Sequence, residues 1–156
     1  MDDYLDLKGR HSRHSLKYQC RRIDRLGTIS YRRHQGQEDA DAAFEEFVGM
    51  EARRWKETSG TRLSPQEREC FRRLVRDDSG RVSYDILFLE VDGEPLAGLL
   101  PFLHRYRYYL FVNFYDERVR DLYPGRPMFR ETLRFAFSRG DIREVSFVGS
   151  YPFAMS

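Results

Sequence analysis

Residues 106–149 read YRYYLFVNFYDERVRDLYPGRPMFRETLRFAFSRGDIREVSFVG, and this segment sets the architecture of the chain. Its first part, Arg107 to Tyr115, has the aromatic and β-branched composition of a strand. A charged loop follows, and then come Tyr123-Pro124-Gly125-Arg126 and an amphipathic helix predicted over about 127–139. Its apolar stripe, predicted to face the sheet, is formed by Phe129, Leu133, Ala136 and Phe137. The helix leads to a short apolar strand, Glu144 to Val148. A β-turn-α-β unit of this kind can present a ligand site, because unpaired N–H groups and the positive end of the helix dipole lie where the helix begins.

The rest of the chain gives local signals for helices, turns and strands. Ser64-Pro65-Gln66-Glu67 combines a capping serine, a proline at the first helical position and a glutamate three residues after the cap. Asp92-Gly93 predicts a hairpin turn, while Pro95 and Pro101 predict a strand start and a bulge or edge position. The predicted elements are helices at about 12–26, 39–58, 65–78 and 127–139, and strands at about 28–33, 82–91, 96–104, 107–115 and 144–148.

This order predicts one α/β (α+β) domain over residues 12–156, behind a flexible polar segment at 1–11. The chain of 156 residues is 40% hydrophobic and 15% aromatic, which is enough for one buried core. Its formal net charge of +2 argues against a general binder of polyanions. We find neither a signal peptide nor a stretch of roughly 20 apolar residues that could span a bilayer. The expectation is a cytoplasmic protein without membrane insertion.

Several kinds of chemistry are excluded by the residue types and their spacing. The histidines lack the spacing of metal ligands, so no metal site is predicted. Cys20 and Cys70 fall among apolar helix positions and are predicted to be small core residues. No Gly-x-Ser-x-Gly, Cys–His or Walker motif is present. Of the 27 basic residues only Lys8, Lys17 and Lys56 are lysines, so the others are arginine. This bias indicates either genomic base composition or repeated recognition of carboxylate or phosphate groups.

The element order after the first helix resembles the opening of the GNAT acyltransferase fold. That fold begins with a strand and two helices, continues with a three-stranded antiparallel meander, and follows it with a helix and a parallel strand. The resemblance covers about 16–153 and implies a GNAT-like mixed sheet with a β-α-β ligand unit. The closing helix and hairpin of the fold are missing from this sequence, so the domain is expected to be C-terminally incomplete.

Within that fold, the chain resembles the BcsL/CelD-type acetyltransferase-like proteins of cellulose and exopolysaccharide biosynthesis, with the FemAB-like aminoacyltransferases as neighbours. The resemblance is carried by a basic helix before the first strand, by Arg53-Arg54-Trp55, by the turn and return strand 92–98, and by Tyr115-Asp116 followed by Tyr123-Pro124-Gly125. The general acyl-CoA loop, Gln/Arg-x-x-Gly-x-Gly/Ala, is matched here at Gly125 alone. Leu122 and Pro127 occupy its flanking positions, and a proline there removes an N–H donor that a pyrophosphate would use. Ser146 stands near an aspartate position of the family, and no lysine follows it.

The resemblance implies an acyltransferase that moves an acyl group from an acetyl-CoA-type thioester to an amine or hydroxyl, in polysaccharide or cell-envelope biosynthesis. The acceptor would be a saccharide or another small molecule. Asp116 is the candidate proton acceptor, and Tyr115 the candidate donor to the leaving thiolate. The implied donor-binding residues are Phe111, Val112, Asn113, Tyr123, Gly125 and Arg126, and the implied acceptor pocket is formed by Trp55, Tyr84 and Tyr108.

Other interpretations of the same residues stay open. Residues 123–126 also fit a plain turn that starts a helix, Asp116 fits a turn former, and Trp55 fits a core residue. A FemAB-like transfer from aminoacyl-tRNA would suit the atypical loop, and a non-catalytic binding module would suit the missing closing hairpin. The final strand would be an unprotected sheet edge, so a homo-oligomer or a longer native chain is expected to cover it.

Overall fold

A computed structural model describes residues 10–36, 38–54 and 63–147 of the chain. The order of helices and strands is the one that the sequence predicts, with a 3₁₀ helix in part of the predicted charged loop. Trp55 and Val148 lie outside the described residues. The elements are α1 (Arg10–Asp24), β1 (Ile29–Gln35), α2 (Ala40–Arg54), α3 (Pro65–Val75), β2 (Val82–Val91), β3 (Glu94–His104), β4 (Arg107–Tyr115), the 3₁₀ helix (Glu117–Leu122), α4 (Gly125–Ser138) and β5 (Glu144–Phe147).

The five strands form one sheet in the order β1-β2-β3-β4-β5. The pairs β1–β2, β2–β3 and β3–β4 are antiparallel, and β4–β5 is parallel. A parallel pair needs a crossover connection, and α4 provides it. This mixed sheet confirms the predicted fold class. The predicted cover of the outer edge of β5, by a homo-oligomer or by a longer native chain, stays a prediction.

The hairpin between β2 and β3 turns at the predicted Asp92-Gly93 pair. Both residues have positive φ, 52° and 85°, as the favoured two-residue hairpin turn requires. The turn also fixes the start of β1. The Asp92 N–H donates to the carbonyl oxygen of Thr28 at 2.9 Å, and the Thr28 N–H donates to Asp92 Oδ1 at 2.8 Å. At Gly27 a Cβ atom would lie 2.2 Å from Asp92 Oδ2, so this close approach requires glycine.

Each face of the sheet carries its own pair of helices and its own apolar cluster. Helices α2 and α3 cover one face, here called the α2/α3 face, while α1 and α4 cover the other, the α1/α4 face. Residues of the meander alternate between the two clusters, as side chains of successive strand residues do. Large buried side chains on the α2/α3 face include Phe44, Phe47, Met50, Ile86, Phe88, Leu100 and Phe114, and those on the α1/α4 face include Ile23, Leu89, Leu99, Tyr108, Leu110 and Phe129.

A β-bulge lies where Pro101 of β3 faces β4. Leu100 pairs with Val112 and Pro101 pairs with Leu110, so Phe111 is an extra residue on β4. Since β3 lies between β2 and β4, the bulge explains Pro101, and an edge position does not. The bulge moves Phe111 and Val112 together toward the α2/α3 cluster, whereas Leu110 belongs to the other one.

Two predictions about packing are wrong in detail. Phe137 was expected to face the sheet from α4, yet its side chain is 55% exposed. Phe129 and Ala136, which the sequence places on the same stripe, are buried as predicted, and Met128 and Thr132 are buried beside them. The predicted core position of Cys70 is also wrong, because this thiol is exposed on α3, whereas Cys20 is half-buried.

Candidate functional site

The candidate site lies where the C-terminal end of β4 meets the first turn of α4. A narrow crevice at this place, too tight to admit a water molecule, is lined mainly by apolar groups of β3, β4 and α4. Asn113 Nδ2 lies 3.6 Å from the position that a Cβ atom on Gly125 would take. The structure thus brings together three of the predicted site residues, Asn113, Tyr115 and Gly125. The full lining is Ala97, Gly98, Leu99, Asn113, Phe114, Tyr115, Gly125, Met128 and Phe129.

The bulge on β4 follows directly after the end of its described pairing with β5. The parallel register runs from Arg107, opposite Glu144, to Leu110, opposite Phe147. The next residue along β4 is Phe111, the bulged residue. Phe111, Val112 and Asn113 therefore form a segment of β4 that extends past the described end of β5. These are the residues predicted to meet the arm of an acyl carrier.

The loop before α4 has little capacity to bind an anion through its main chain. Tyr123 adopts a left-handed conformation, and its carbonyl accepts a hydrogen bond from the Arg126 N–H at 3.1 Å. Pro127 has no N–H, and Pro124 precedes the helix without a side-chain cap. Of Gly125, Arg126 and Pro127, at most one can offer a main-chain N–H to a ligand. A diphosphate would therefore need other groups of the protein.

Asp116 is buried at the start of the 3₁₀ helix, with 5% of its surface exposed. Its carboxylate accepts hydrogen bonds from the Arg118 main-chain N–H at 2.9 Å and from the Arg118 guanidinium at 2.7–3.1 Å. These contacts cap the 3₁₀ helix. To accept a proton from a substrate, the carboxylate would have to exchange at least one contact with Arg118. The catalytic assignment of Asp116 stays a prediction.

The tyrosines predicted for one acceptor pocket do not share a pocket. Tyr84 belongs to the α2/α3 face, where its hydroxyl donates to the Gly36 carbonyl. Tyr108 is fully buried in the opposite cluster and donates to the Asp85 carboxylate. Burial, reinforced by the negative charge of Asp85, raises the pKa of the Tyr108 phenol far above its ordinary value. Trp55, the third predicted member, lies outside the described residues.

Helix α1 contacts the candidate site, which the sequence did not predict. Arg126 Nη1 donates to Ser15 Oγ at 3.0 Å, and Arg22 Nη1 donates to the carbonyl oxygen of Asp121 at 2.9 Å. Ser15 and Arg22 are seven residues apart, so they lie on the same face of the helix. The apolar stripe of α1 is a detectable sequence signal, but the partner of its polar face is not, because that contact joins residues about 100 positions apart.

Within the described ranges, no group of three or more His, Cys, Asp or Glu side chains is arranged to hold a metal ion. Among the same residues, no helix combines the length and the apolar composition that crossing a bilayer requires. The polar side chains that line the crevice are the amide of Asn113 and the hydroxyl of Tyr115. Such groups can orient a substrate, polarise a carbonyl and move protons.

Comparison with known proteins gives one family and several similar folds. A sequence profile of the family described as "Acetyltransferase (GNAT) domain" matches residues 10–153. A possible acetyltransferase from Clostridium difficile 630 is 15% identical, with a TM-score of 0.51 over 78% of this chain and 80% of that chain. An aminoglycoside acetyltransferase from an uncultured soil metagenomic sample, in complex with sisomicin, is 14% identical, with a TM-score of 0.53 over 85% of each chain.

A second aminoglycoside acetyltransferase from a soil metagenomic sample is 16% identical, with a TM-score of 0.52 over 81% of this chain and 88% of that chain. No curated protein matches the sequence significantly. At these identities the solved structures establish a shared fold and no more. The family profile spans most of the chain, from α1 to beyond β5. The chain therefore belongs to the GNAT acetyltransferase domain family.

Proposed function

We propose that this protein is a cytoplasmic acyltransferase that moves an acyl group from an acetyl-CoA-type thioester to an amine or hydroxyl of a saccharide or another small molecule. The reaction would serve polysaccharide or cell-envelope biosynthesis, as the BcsL/CelD-type resemblance implies. The observation that carries the proposal is the bulge at Phe111, directly after the last described β4–β5 pair. It lies within a domain of the GNAT acetyltransferase family.

The main chain of Phe111, Val112 and Asn113 suits the extended arm of an acyl carrier. Such an arm can add to a strand through main-chain hydrogen bonds, as bound peptides do at sheet edges. A bulge redirects main-chain groups away from the regular ladder, and an N–H redirected in this way could polarise the thioester carbonyl. The first turn of α4 fits the donor less well, because it offers at most one N–H group. The donor thioester, once bound, supplies the activated acyl carbon.

Tyr115 and Asp116 have complementary roles in this proposal. As the acceptor nitrogen or oxygen forms its bond to the acyl carbon, it loses a proton, and the C–S bond breaks. Asp116 accepts the acceptor's proton, directly or through a water molecule, after its carboxylate exchanges a contact with Arg118. Tyr115, which lines the crevice, donates a proton to the leaving thiolate. The protein ends the transfer with one proton gained and one lost.

The test combines binding with catalysis. Calorimetric titration with acetyl-CoA should give heat, and hydrogen exchange should show protection over residues 111–126. Amino sugars are the first acceptors to assay, since two of the similar structures are aminoglycoside acetyltransferases. Tyr115→Phe should lower kcat by about 10²-fold while acetyl-CoA binding stays unchanged. Tyr106→Phe, which alters an exposed ring in a hairpin turn, is the matched control. The absence of both heat and protection would overturn the proposal.

A second candidate is a FemAB-like transfer from aminoacyl-tRNA. It is favoured by one observation. The Arg126 N–H already donates to the Tyr123 carbonyl and Pro127 has no N–H, so neither residue offers a main-chain donor to a CoA diphosphate. A tRNA-dependent transfer assay with aminoacyl-tRNA as donor separates the two candidates. Transfer from aminoacyl-tRNA without any from acetyl-CoA would select this second function.

A further inference from the structure

Two arginines beside the loop that precedes α4 donate hydrogen bonds only to neutral oxygens within the described residues. Many arginines of the described part pair with carboxylates, among them Arg32, Arg72, Arg76, Arg118 and Arg139. Arg22 and Arg126 instead donate to neutral oxygens, the carbonyl of Asp121 and the hydroxyl of Ser15. No carboxylate pairs with either guanidinium within the described residues. Their positive charges are thus available to an anion.

Both guanidinium groups border the segment 121–126, where the main chain supplies few donors. The Arg126 N–H is taken by the Tyr123 carbonyl, and Pro127 has none. A guanidinium can replace missing N–H groups, because its planar fork matches two phosphate oxygens at once. Arg22 also lies over the Tyr18 ring, 5.8 Å from its centroid, which holds the side chain along α1.

The same face of α1 carries a buried acceptor without a partner. Gln19 is four residues after Ser15 and three before Arg22, so it lies between the two residues that contact the site. Only 7% of its surface is exposed, and its Oε1 accepts no hydrogen bond from the described residues. A buried acceptor without a donor is unfavourable. A hydroxyl or amide N–H of a bound molecule would satisfy it.

We infer that α1 completes a diphosphate subsite, in which Arg22 and Arg126 bind the phosphates of a nucleotide-bearing acyl donor in place of main-chain N–H groups. This inference rests on the proposed function and extends it to a helix that precedes the first strand of the sheet. Ser15 and the Asp121 carbonyl hold the two guanidiniums near the loop until phosphate oxygens replace them. Helix α1 thereby selects donors that carry a diphosphate.

The experiment compares acetyl-CoA with S-acetylpantetheine, which lacks the diphosphate and the nucleotide. Arg22→Ala should weaken acetyl-CoA binding by about tenfold in calorimetry, as loss of one charge-assisted hydrogen bond predicts. S-acetylpantetheine should bind equally to wild type and variant. Arg126→Gln should also weaken acetyl-CoA binding and leave S-acetylpantetheine binding unchanged. Arg22→Lys should bind acetyl-CoA with an affinity between those of wild type and Arg22→Ala, because lysine offers a point charge and not a planar fork. Arg21→Ala, an exposed neighbour on α1, is the matched control and should match wild type.

The outcomes separate this inference from the proposed function. If wild type binds acetyl-CoA and both Arg22→Ala and Arg126→Gln bind it equally well, the diphosphate subsite is overturned while the proposed function stands. Equal weakening by Arg22→Ala and Arg21→Ala would also overturn it, because general charge attraction would then explain the effect. Failure of wild type to bind acetyl-CoA would overturn both. Circular dichroism of each variant verifies that α1 is still folded.

Discussion

Asp85 is a charged residue in the interior of the sheet, with 2% of its surface exposed. It lies on β2, next to Gln35 of the neighbouring strand. Its carboxylate accepts hydrogen bonds from the side-chain amide of Gln35 and from the Tyr108 hydroxyl. A buried carboxylate needs such donors, because an unpaired charge in an apolar environment is strongly unfavourable. The three side chains therefore act as one unit.

Tyr108→Phe should reduce the free energy of unfolding by about 1–3 kcal/mol, since one oxygen of Asp85 then loses its buried donor. Urea denaturation followed by circular dichroism measures the change. Tyr106→Phe is the control, because this ring is 46% exposed and its hydroxyl makes no hydrogen bond within the described part. A loss below 0.5 kcal/mol for Tyr108→Phe, as for a typical surface change, would contradict a structural role for the network.

Two phenols, the half-buried Tyr31 and the buried Tyr108, make the free energy of unfolding depend on pH in the alkaline range. Burial raises the pKa of Tyr31 to about 12 and raises that of Tyr108 further, whereas an unfolded tyrosine titrates near about 10. Because the folded state holds the phenolic proton more tightly, the raised pKa contributes its full stabilisation at pH values below the pKa of the unfolded state. This stabilisation is lost as pH rises from about 10 through the folded-state value. Urea unfolding at pH 9, 10 and 11 should show a falling free energy, with a shallower fall in Tyr31→Phe. An equally steep fall of the free energy of unfolding in wild type and in Tyr31→Phe would contradict a raised pKa of Tyr31.

The pairing of Tyr84 with Tyr108 in one pocket failed for a reason of register. Tyr84 lies opposite Phe102 of β3, and Tyr108 lies opposite Leu103. Because Phe102 and Leu103 are consecutive on one strand, their side chains point to opposite faces of the sheet. A register one residue different would have placed both tyrosines together. Residue type and composition do not supply that information.

At the scale of elements, α3 has the strongest local determinant of the fold. The Glu67 N–H donates to Ser64 Oγ at 3.2 Å, and the Ser64 N–H donates to Glu67 Oε2 at 2.7 Å, which completes the predicted capping box. Ser64→Ala should cost about 1 kcal/mol, measured as a lower urea midpoint. Gln66→Ala, an exposed position in the same turn, should leave the midpoint unchanged. Equal midpoints for the two variants would count against the cap.

The elements were predictable where their signals are local. The capping box, the Asp92-Gly93 turn and the run of β-formers in β2 and β4 each occupy a few neighbouring residues. The buried stripe of α4 was predicted only in part. Phe129 and Ala136 are buried as expected, but Met128 and Thr132 are buried too, while the more hydrophobic Phe137 is exposed. The orientation of a helix is set by the sheet against which it packs. Apolar periodicity alone is consistent with several rotations of this helix.

At the scale of the whole molecule, α1 joins the core to the candidate site. Ile23 is buried in the α1/α4 cluster, while Ser15 and Arg22 contact α4 and the segment before it. Ile23→Ala should destabilise the protein by about 2–4 kcal/mol through the cavity it leaves. Near-ultraviolet circular dichroism of the tyrosines, which include the buried Tyr108, and far-ultraviolet circular dichroism should report one shared urea transition. A separate early loss of helical signal would show that α1 unfolds independently of the sheet.

The fold was more predictable than the site. Element order and fold class follow from signals along the chain, and the family resemblance is confirmed at the level of the GNAT domain. The site depends on contacts between distant residues. Asp116 was recognised as a strand-end carboxylate, but its partner Arg118 was not foreseen. The contribution of α1 was not foreseen either, because its polar face resembles a solvated surface until Arg126 and Asp121 are placed beside it.

The turn at Asp92 has a consequence for the sequence of folding events. The strands β2, β3 and β4 are joined by two-residue turns, so their contacts close short loops and can form early. The hydrogen bond from Thr28 to Asp92 spans 64 residues, and its acceptor is oriented only after the turn has formed. We therefore predict that strand β1 docks onto a finished hairpin. In stopped-flow experiments Ile29→Ala should accelerate unfolding and leave the folding rate nearly unchanged, whereas Leu99→Ala should slow folding.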